Sequence, residues 1–82
     1  MNIYREIPMF DAITLVPVAS SNLAAVGYSA ATSVLRIRFN SGSVYDYMGV
    51  PEHIHDGLMG AASKGSYFNA HIKNRYRYFK RA

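Results

Sequence analysis

The last twenty residues concentrate the side chains that could do chemistry. Residues 63–82 hold Lys64, Lys73, Arg75, Arg77, Lys80 and Arg81 and no acid, a local charge of +6. Residues 1–62 hold Arg5, Arg36 and Arg38 against Glu6, Asp11, Asp46, Glu52 and Asp56, a net of −2. Such asymmetry points to a basic patch rather than a uniformly basic protein. Basic patches attract phosphate backbones, anionic membrane surfaces or acidic proteins. Here the cations alternate with rings in Arg75-Tyr76-Arg77-Tyr78-Phe79-Lys80-Arg81. Rings beside cations suit single-stranded nucleic acid, because every base has a face to stack. The candidate phosphate contacts are Lys64, Lys73, Arg77, Lys80 and Arg81. Tyr67 and Tyr78 are the candidate stacking surfaces, with Arg75 and His71 as supplementary donors. The plainer alternative is a solvated face that keeps a small protein soluble.

Three other constellations carry less. In Ala62-Ser63-Lys64-Gly65-Ser66 the backbone N–H groups of a helix start could hold an anion. The glycine spacing of a Walker motif is missing, and helix capping explains the same residues. His53 and His55, with Glu52 and Asp56, invite a metal. Residues two apart on a helix do not share a face, and no third ligand completes a set with His53 and Asp56. No serine, histidine and aspartate stand at a recognisable catalytic spacing. The expectation is therefore no catalytic residue, no metal and no cofactor. Tyr45 and Tyr47 form the third constellation. They are either a stacking platform or part of the inner sheet face with their hydroxyls at the edge.

The elements that must position these groups follow from periodicity. Leu35, Ile37 and Phe39 alternate with Arg36, Arg38 and Asn40, the clearest strand in the chain. Ser41-Gly42 breaks it and Val44-Tyr45-Asp46-Tyr47 returns, making a hairpin. A two-residue loop would pair Ile37 with Asp46 and bury that carboxylate among apolar residues, at considerable cost. A three-residue loop, Asn40-Ser41-Gly42, places Gly42 in the left-handed position of a bulge. It pairs Ile37 with Tyr45 and Leu35 with Tyr47, and sets Asp46 outward opposite Arg36. The second register is preferred. Leu23 to Tyr28 is a further strand, and Pro17 restricts the region before it to an edge.

Pro51 suits the first position of a helix, whose apolar face would be Ile54, Leu58, Ala61 and Ala62. Gly57 and Gly60 would let that helix approach the sheet, and Gly65 would end it. Ser66 could cap a second helix. Phe68, Ile72, Tyr76 and Phe79 follow at helical spacing, which leaves Lys73, Arg77, Lys80 and Arg81 on the opposite face. This helix either continues through Arg75-Tyr76-Arg77-Tyr78 or frays there. The fold class is α+β: a short antiparallel β-meander followed by two α-helices packed on one face.

The ordered set Phe39, Gly42, Tyr45-Asp46-Tyr47, Val50-Pro51, Ala62-Ser63, Gly65-Ser66-Tyr67-Phe68, Ile72 and Tyr76, preceded by Ser20-Ser21 and Val26-Gly27-Tyr28, resembles the KTSC domain. That family is named for its occurrence at the C-terminus of some bacterial lysyl-tRNA synthetases, and its hallmark is the central Tyr-x-Tyr. It also occurs as small stand-alone proteins of bacteria and phages. The resemblance spans roughly residues 17–77 and leaves 1–16 as an extension of open role. It implies RNA as a ligand, through the tRNA-charging enzyme that carries the domain, and makes Tyr45 and Tyr47 its motif residues.

The 82 residues allow one domain, which at this size buries roughly 60% of its unfolded surface. With no cysteine there is no disulfide, thiolate metal site or thiol nucleophile. Half the residues are apolar and 13% are aromatic, a composition that argues for a folded rather than a disordered chain. No apolar run reaches the ~18 residues of a membrane span. Arg5, Glu6 and Asp11 interrupt the segment where a signal peptide would be apolar. The reading is a cytoplasmic, non-enzymatic binding module. Its candidate partners are RNA, bound through a basic C-terminal helix, or an acidic protein, with no membrane. Its state would be a monomer, or a weak homodimer formed through Ile3, Tyr4, Ile7, Met9 and Phe10.

Overall fold

A computed structural model describes residues 13–82. The proposed dimer surface at Ile3 to Phe10 lies outside these residues. The elements run β1 (Val16–Pro17), β2 (Leu23–Ser29), β3 (Val34–Phe39), β4 (Val44–Tyr47), α1 (Glu52–Gly60), α2 (Lys64–His71) and β5 (Tyr78–Lys80). The five strands form one antiparallel sheet in the order β1-β2-β3-β4-β5. No helix among the described residues is long and apolar enough to cross a membrane.

The expected meander and two helices are present. β3 pairs with β4 as Leu35 with Tyr47, Arg36 with Asp46 and Ile37 with Tyr45. Gly42 takes φ +98°, the left-handed position of the three-residue loop. Strand alternation sends Leu35 and Ile37 to a face where both are fully buried. On this face Leu23, Val26, Tyr47 and Val50 meet Leu58 of α1 and Phe68 and Ile72 of the α2 end. A bulge between Leu23 and Ala25 returns Leu23 to the core side after the break in alternation.

The helix boundaries differ from the expectation. Pro51 stands one residue before α1, and Ala61 ends it by turning extended (φ −71°, ψ 139°). Gly65 is therefore not its terminus. The cap of α2 is Ser63, whose Oγ accepts from the Ser66 N–H at 3.2 Å. Gly57 faces Tyr67 of α2 rather than the sheet: a Cβ there would stand 2.7 Å from Tyr67 Cζ.

The main correction concerns the C-terminus. α2 stops at His71, and Asn74 turns the chain with φ +65°, a conformation that asparagine tolerates. Arg75 Nε donates to the Ala70 carbonyl at 3.0 Å, satisfying one of the open helix-end acceptors. The chain then runs beside β4 as β5 instead of continuing as a basic helix. The cause is the open edge of β4, whose backbone groups need partners. Met48 N donates to Arg77 O at 2.8 Å, Arg81 N to Val44 O at 2.7 Å and Val44 N to Ala82 O at 2.9 Å. Lys73, Arg77, Lys80 and Arg81 consequently do not share a helix face. Phe79, expected in the core stripe, is 55% exposed.

Candidate functional site

The pairing of β5 sets Tyr78 opposite Tyr47 and Lys80 opposite Tyr45. With a side-chain period of two, Tyr78 and Lys80 lie on the sheet face that carries Tyr45, Tyr47 and the helices. The three tyrosines form a triangle of rings. Tyr78 is 5.7 Å from Tyr45 and 5.8 Å from Tyr47, and Tyr45 is 6.4 Å from Tyr47, between ring centroids. Phe39 and Phe68 close the group edge-on, at 5.8 Å from Tyr45 and 5.5 Å from Tyr47 respectively. Such offset and edge-to-face contacts fix ring orientation.

These five rings wall a cleft of about 290 Å³. Its other lining residues are polar. Asn22 comes from the loop before β2, Asn69 from α2, and Lys73 and Asn74 from the turn after it. All four are exposed, and none of their side chains makes a hydrogen bond among the described residues. Among the described residues, no carboxylate lines the cleft. Tyr47 is its deepest phenol, 5% exposed. Burial, then the neighbouring phenols of Tyr45 and Tyr78, push its pKa from 10.0 up to about 12. It is a neutral hydroxyl at any physiological pH. Tyr45 and Tyr47 thus pack with the core, while Tyr78, 54% exposed, offers the open ring.

The other predicted contacts are dispersed. Lys73 and Tyr78 line the cleft, Lys80 of β5 is exposed on the same sheet face, and Arg77, just before β5, is exposed on the opposite face. Lys64 is elsewhere, with Nζ donating to the Ala61 carbonyl at 3.2 Å. Ser63 and Ser66 satisfy each other, so this loop is occupied by capping. Tyr67 is half-buried, with its ring over Gly57 and 4.4 Å from His71. His55 stacks on Tyr28 at 4.8 Å and meets Asp56 at 3.2 Å.

Arg81 belongs to a cluster on the sheet's other face. Arg36 grips Asp46 with two bonds, Nε to Oδ1 at 2.7 Å and Nη2 to Oδ2 at 3.0 Å. Arg81 Nη1 adds a third contact at 3.3 Å. Asp46 does face away from the helices, opposite Arg36, but it is buried rather than solvated, at 6% exposure. The strand that covers it, with Phe79 opposite, was not foreseen. Asn22, Asn69 and Asn74 also escaped the sequence reading. Only Asn74 left a local signal, as an asparagine at the point where a helix turns left-handed.

The family profile described as the KTSC domain matches residues 19–76. A KTSC domain protein from Yersinia pestis of known crystal structure superposes with a TM-score of 0.84. It is 37% identical, covering 87% of this chain and 100% of its own. A protein from Tsukamurella paurometabola is 41% identical over 61 residues, 74% of this chain and 91% of that relative. The lysine–tRNA ligase of Nostoc punctiforme is 37% identical over 67 residues, which is 82% of this chain but 12% of the ligase. Tyr45, Tyr47, Asn22, Asn69, Lys73 and Asn74 fall inside the family match, and Arg77 to Ala82 fall beyond it.

Proposed function

This chain belongs to the KTSC domain family, and from that premise we propose that it is a non-enzymatic RNA-binding module. The observation that supports this reading is the meeting of an aromatic cleft with a basic margin that carries no acid among the described residues. Lys73 lines the cleft and Lys80 shares the sheet face of Tyr78, while Arg77, one residue before Tyr78, is exposed on the other face of the same edge. Cations placed beside open rings are what single-stranded RNA requires, the first for phosphate and the second for bases. RNA rather than DNA is favoured because a related segment is carried by a lysine–tRNA ligase. Lys64, Tyr67 and Arg81 have structural engagements and are left out of this interface.

Fluorescence anisotropy tests the reading, with single-stranded RNA, matched DNA and a tRNA-like hairpin at low and moderate salt. The expected result is preferential RNA binding that persists in part at moderate salt. The charge-reversed variant Arg77→Glu/Lys80→Glu should bind more weakly. Losing two phosphate contacts on a single strand should flatten the slope of log K against log salt by about 1.4. Unchanged affinity in that variant, or equal and salt-labile binding to all three nucleic acids, refutes the proposal.

A second reading rests on the β5 edge. Its three residues are exposed, Phe79 among them, and such an edge can accept a partner's strand. Capture of a defined acidic protein that survives nuclease and high salt would favour this alternative.

A further inference from the structure

We propose that the cleft between α2 and the β4–β5 edge holds one unpaired purine base, stacked on Tyr78 and read along its edge by Asn69 and Asn74. This rests on the RNA reading above and adds the ligand's chemical class and its place.

Four features of the cleft support it. The first is the state of the ring. Tyr78 is exposed on one side and held 5.7 Å and 5.8 Å from Tyr45 and Tyr47. A ring ordered before the ligand arrives costs little to use. A base stacked on such a ring multiplies affinity about 5- to 150-fold.

The second is size. The cleft of about 290 Å³ lies just under the ~300–1,000 Å³ typical of ligand sites. It suits one planar group rather than a run of nucleotides or a folded peptide segment.

The third is its hydrogen-bonding complement. Asn22, Asn69 and Asn74 line the cleft with amides that make no bond among the described residues. An amide presents a donor and an acceptor together, the complement of adenine N7 and N6. The Lys73 ammonium, also on the lining, complements guanine N7 and O6. Both combinations use N7, an atom that pyrimidines lack.

The fourth is charge. Among the described residues no lining carboxylate opposes the attached phosphate. Lys80, two residues beyond Tyr78 on the same face, is placed to meet it.

The test uses the full chain. NMR titrations with AMP, UMP and ribose 5-phosphate read where each ligand sits. AMP should shift the side-chain amides of Asn69 and Asn74 and the backbone of Lys73 and Tyr78. UMP should do so weakly, and ribose 5-phosphate should not. In anisotropy, oligoadenylate should bind more tightly than oligouridylate of equal length. Tyr78→Ala should lower oligoadenylate affinity by about 5- to 150-fold, with Tyr78→Phe retaining it. Asn69→Ala lies on an exposed helix position, so its fold is secure, and it should erase the preference for oligoadenylate.

The cleft assignment is overturned if the two oligomers bind alike and neither Tyr78→Ala nor Asn69→Ala changes that. Should Arg77→Glu/Lys80→Glu still weaken binding in that case, the RNA reading survives without the cleft. Equal losses on both oligomers in Tyr78→Ala refute the purine assignment. No binding of any RNA by the unaltered chain removes both proposals.

Discussion

Asp46 is the most informative residue to change, because a single carboxylate joins three strands. It lies on β4, takes two bonds from Arg36 on β3 and a third from Arg81 just after β5. Asp46 and Arg36 are 6% and 8% exposed. Removing one partner of a buried ion pair costs about 3–5 kcal/mol, since the remaining charge stays desolvated. Arg81 differs, with a side chain 40% exposed at 3.3 Å, so its contact is worth at most about 1 kcal/mol. For a chain of this length total stability is about 4–12 kcal/mol. Asp46→Asn should therefore consume a large part of it and lower Tm by about 12–40 °C. Arg81→Ala should lower Tm by under about 8 °C.

The assay is urea unfolding of the single variants Asp46→Leu and Arg36→Met and of their double variant. If the pair itself is responsible, the two losses will not add. The double variant, with apolar groups of similar volume, should recover most of the stability. A coupling below about 0.5 kcal/mol between the two positions would refute the argument. It would mean that the register of β3 against β4 is held by the core face alone.

Two further outcomes follow from the same packing. The folded chain holds the Tyr47 proton up to about pH 12, whereas the unfolded chain releases it near 10.0. Alkali therefore favours unfolding: this contribution is intact below pH 10 and falls by about 3 kcal/mol as pH rises through 12. Urea melts at neutral pH and about pH 11.5, set beside Tyr47→Phe, check it, and equal alkaline losses in both proteins would reject the assignment. The two α1 glycines should respond with opposite signs. Gly57→Ala drives a methyl against the Tyr67 ring and should destabilise by about 1–3 kcal/mol, less up to about 1 kcal/mol of helix propensity. Gly60→Ala meets open space and should be neutral or stabilising by up to about 1 kcal/mol. Denaturant midpoints measured side by side would show it, and a stabilising Gly57→Ala would contradict the packing.

What the sequence revealed depended on whether one side of an element had to be buried. β3 was readable because Leu35 and Ile37 cannot exchange faces with Arg36 and Arg38. The β3–β4 register was readable because the alternative placed Asp46 among apolar residues. The C-terminus satisfied two periods at once. Phe68, Ile72, Tyr76 and Phe79 repeat as in a helix, while Tyr76, Tyr78 and Lys80 alternate with Arg75, Arg77 and Phe79 as in a strand. The unpaired backbone of β4 decided between them, and that edge exists only once the sheet is assembled. The site amides were hidden for the same reason. Asn22 and Asn69 are distant in sequence, and only the docking of α2 beside the loop preceding β2 brings them to one cleft.

The docking of β5 has two effects that cannot be separated. On one face its arrival places Phe79 opposite Asp46 and completes the ion cluster with Arg81. On the other it presents Tyr78 to Tyr47 and creates the cleft wall. A three-residue edge strand with every residue exposed belongs to the low-stability end of the fold. The Asp46 cluster and the ladder hydrogen bonds hold it against the sheet, and they thereby keep the open ring in place. A ligand stacked on Tyr78 would bind only the docked strand and would hold it there in proportion to its affinity. The basic residues were misplaced by a helical reading of the C-terminus. Their strand placement gives them a different role: Arg81 anchors one face while Lys80 and Tyr78 equip the other.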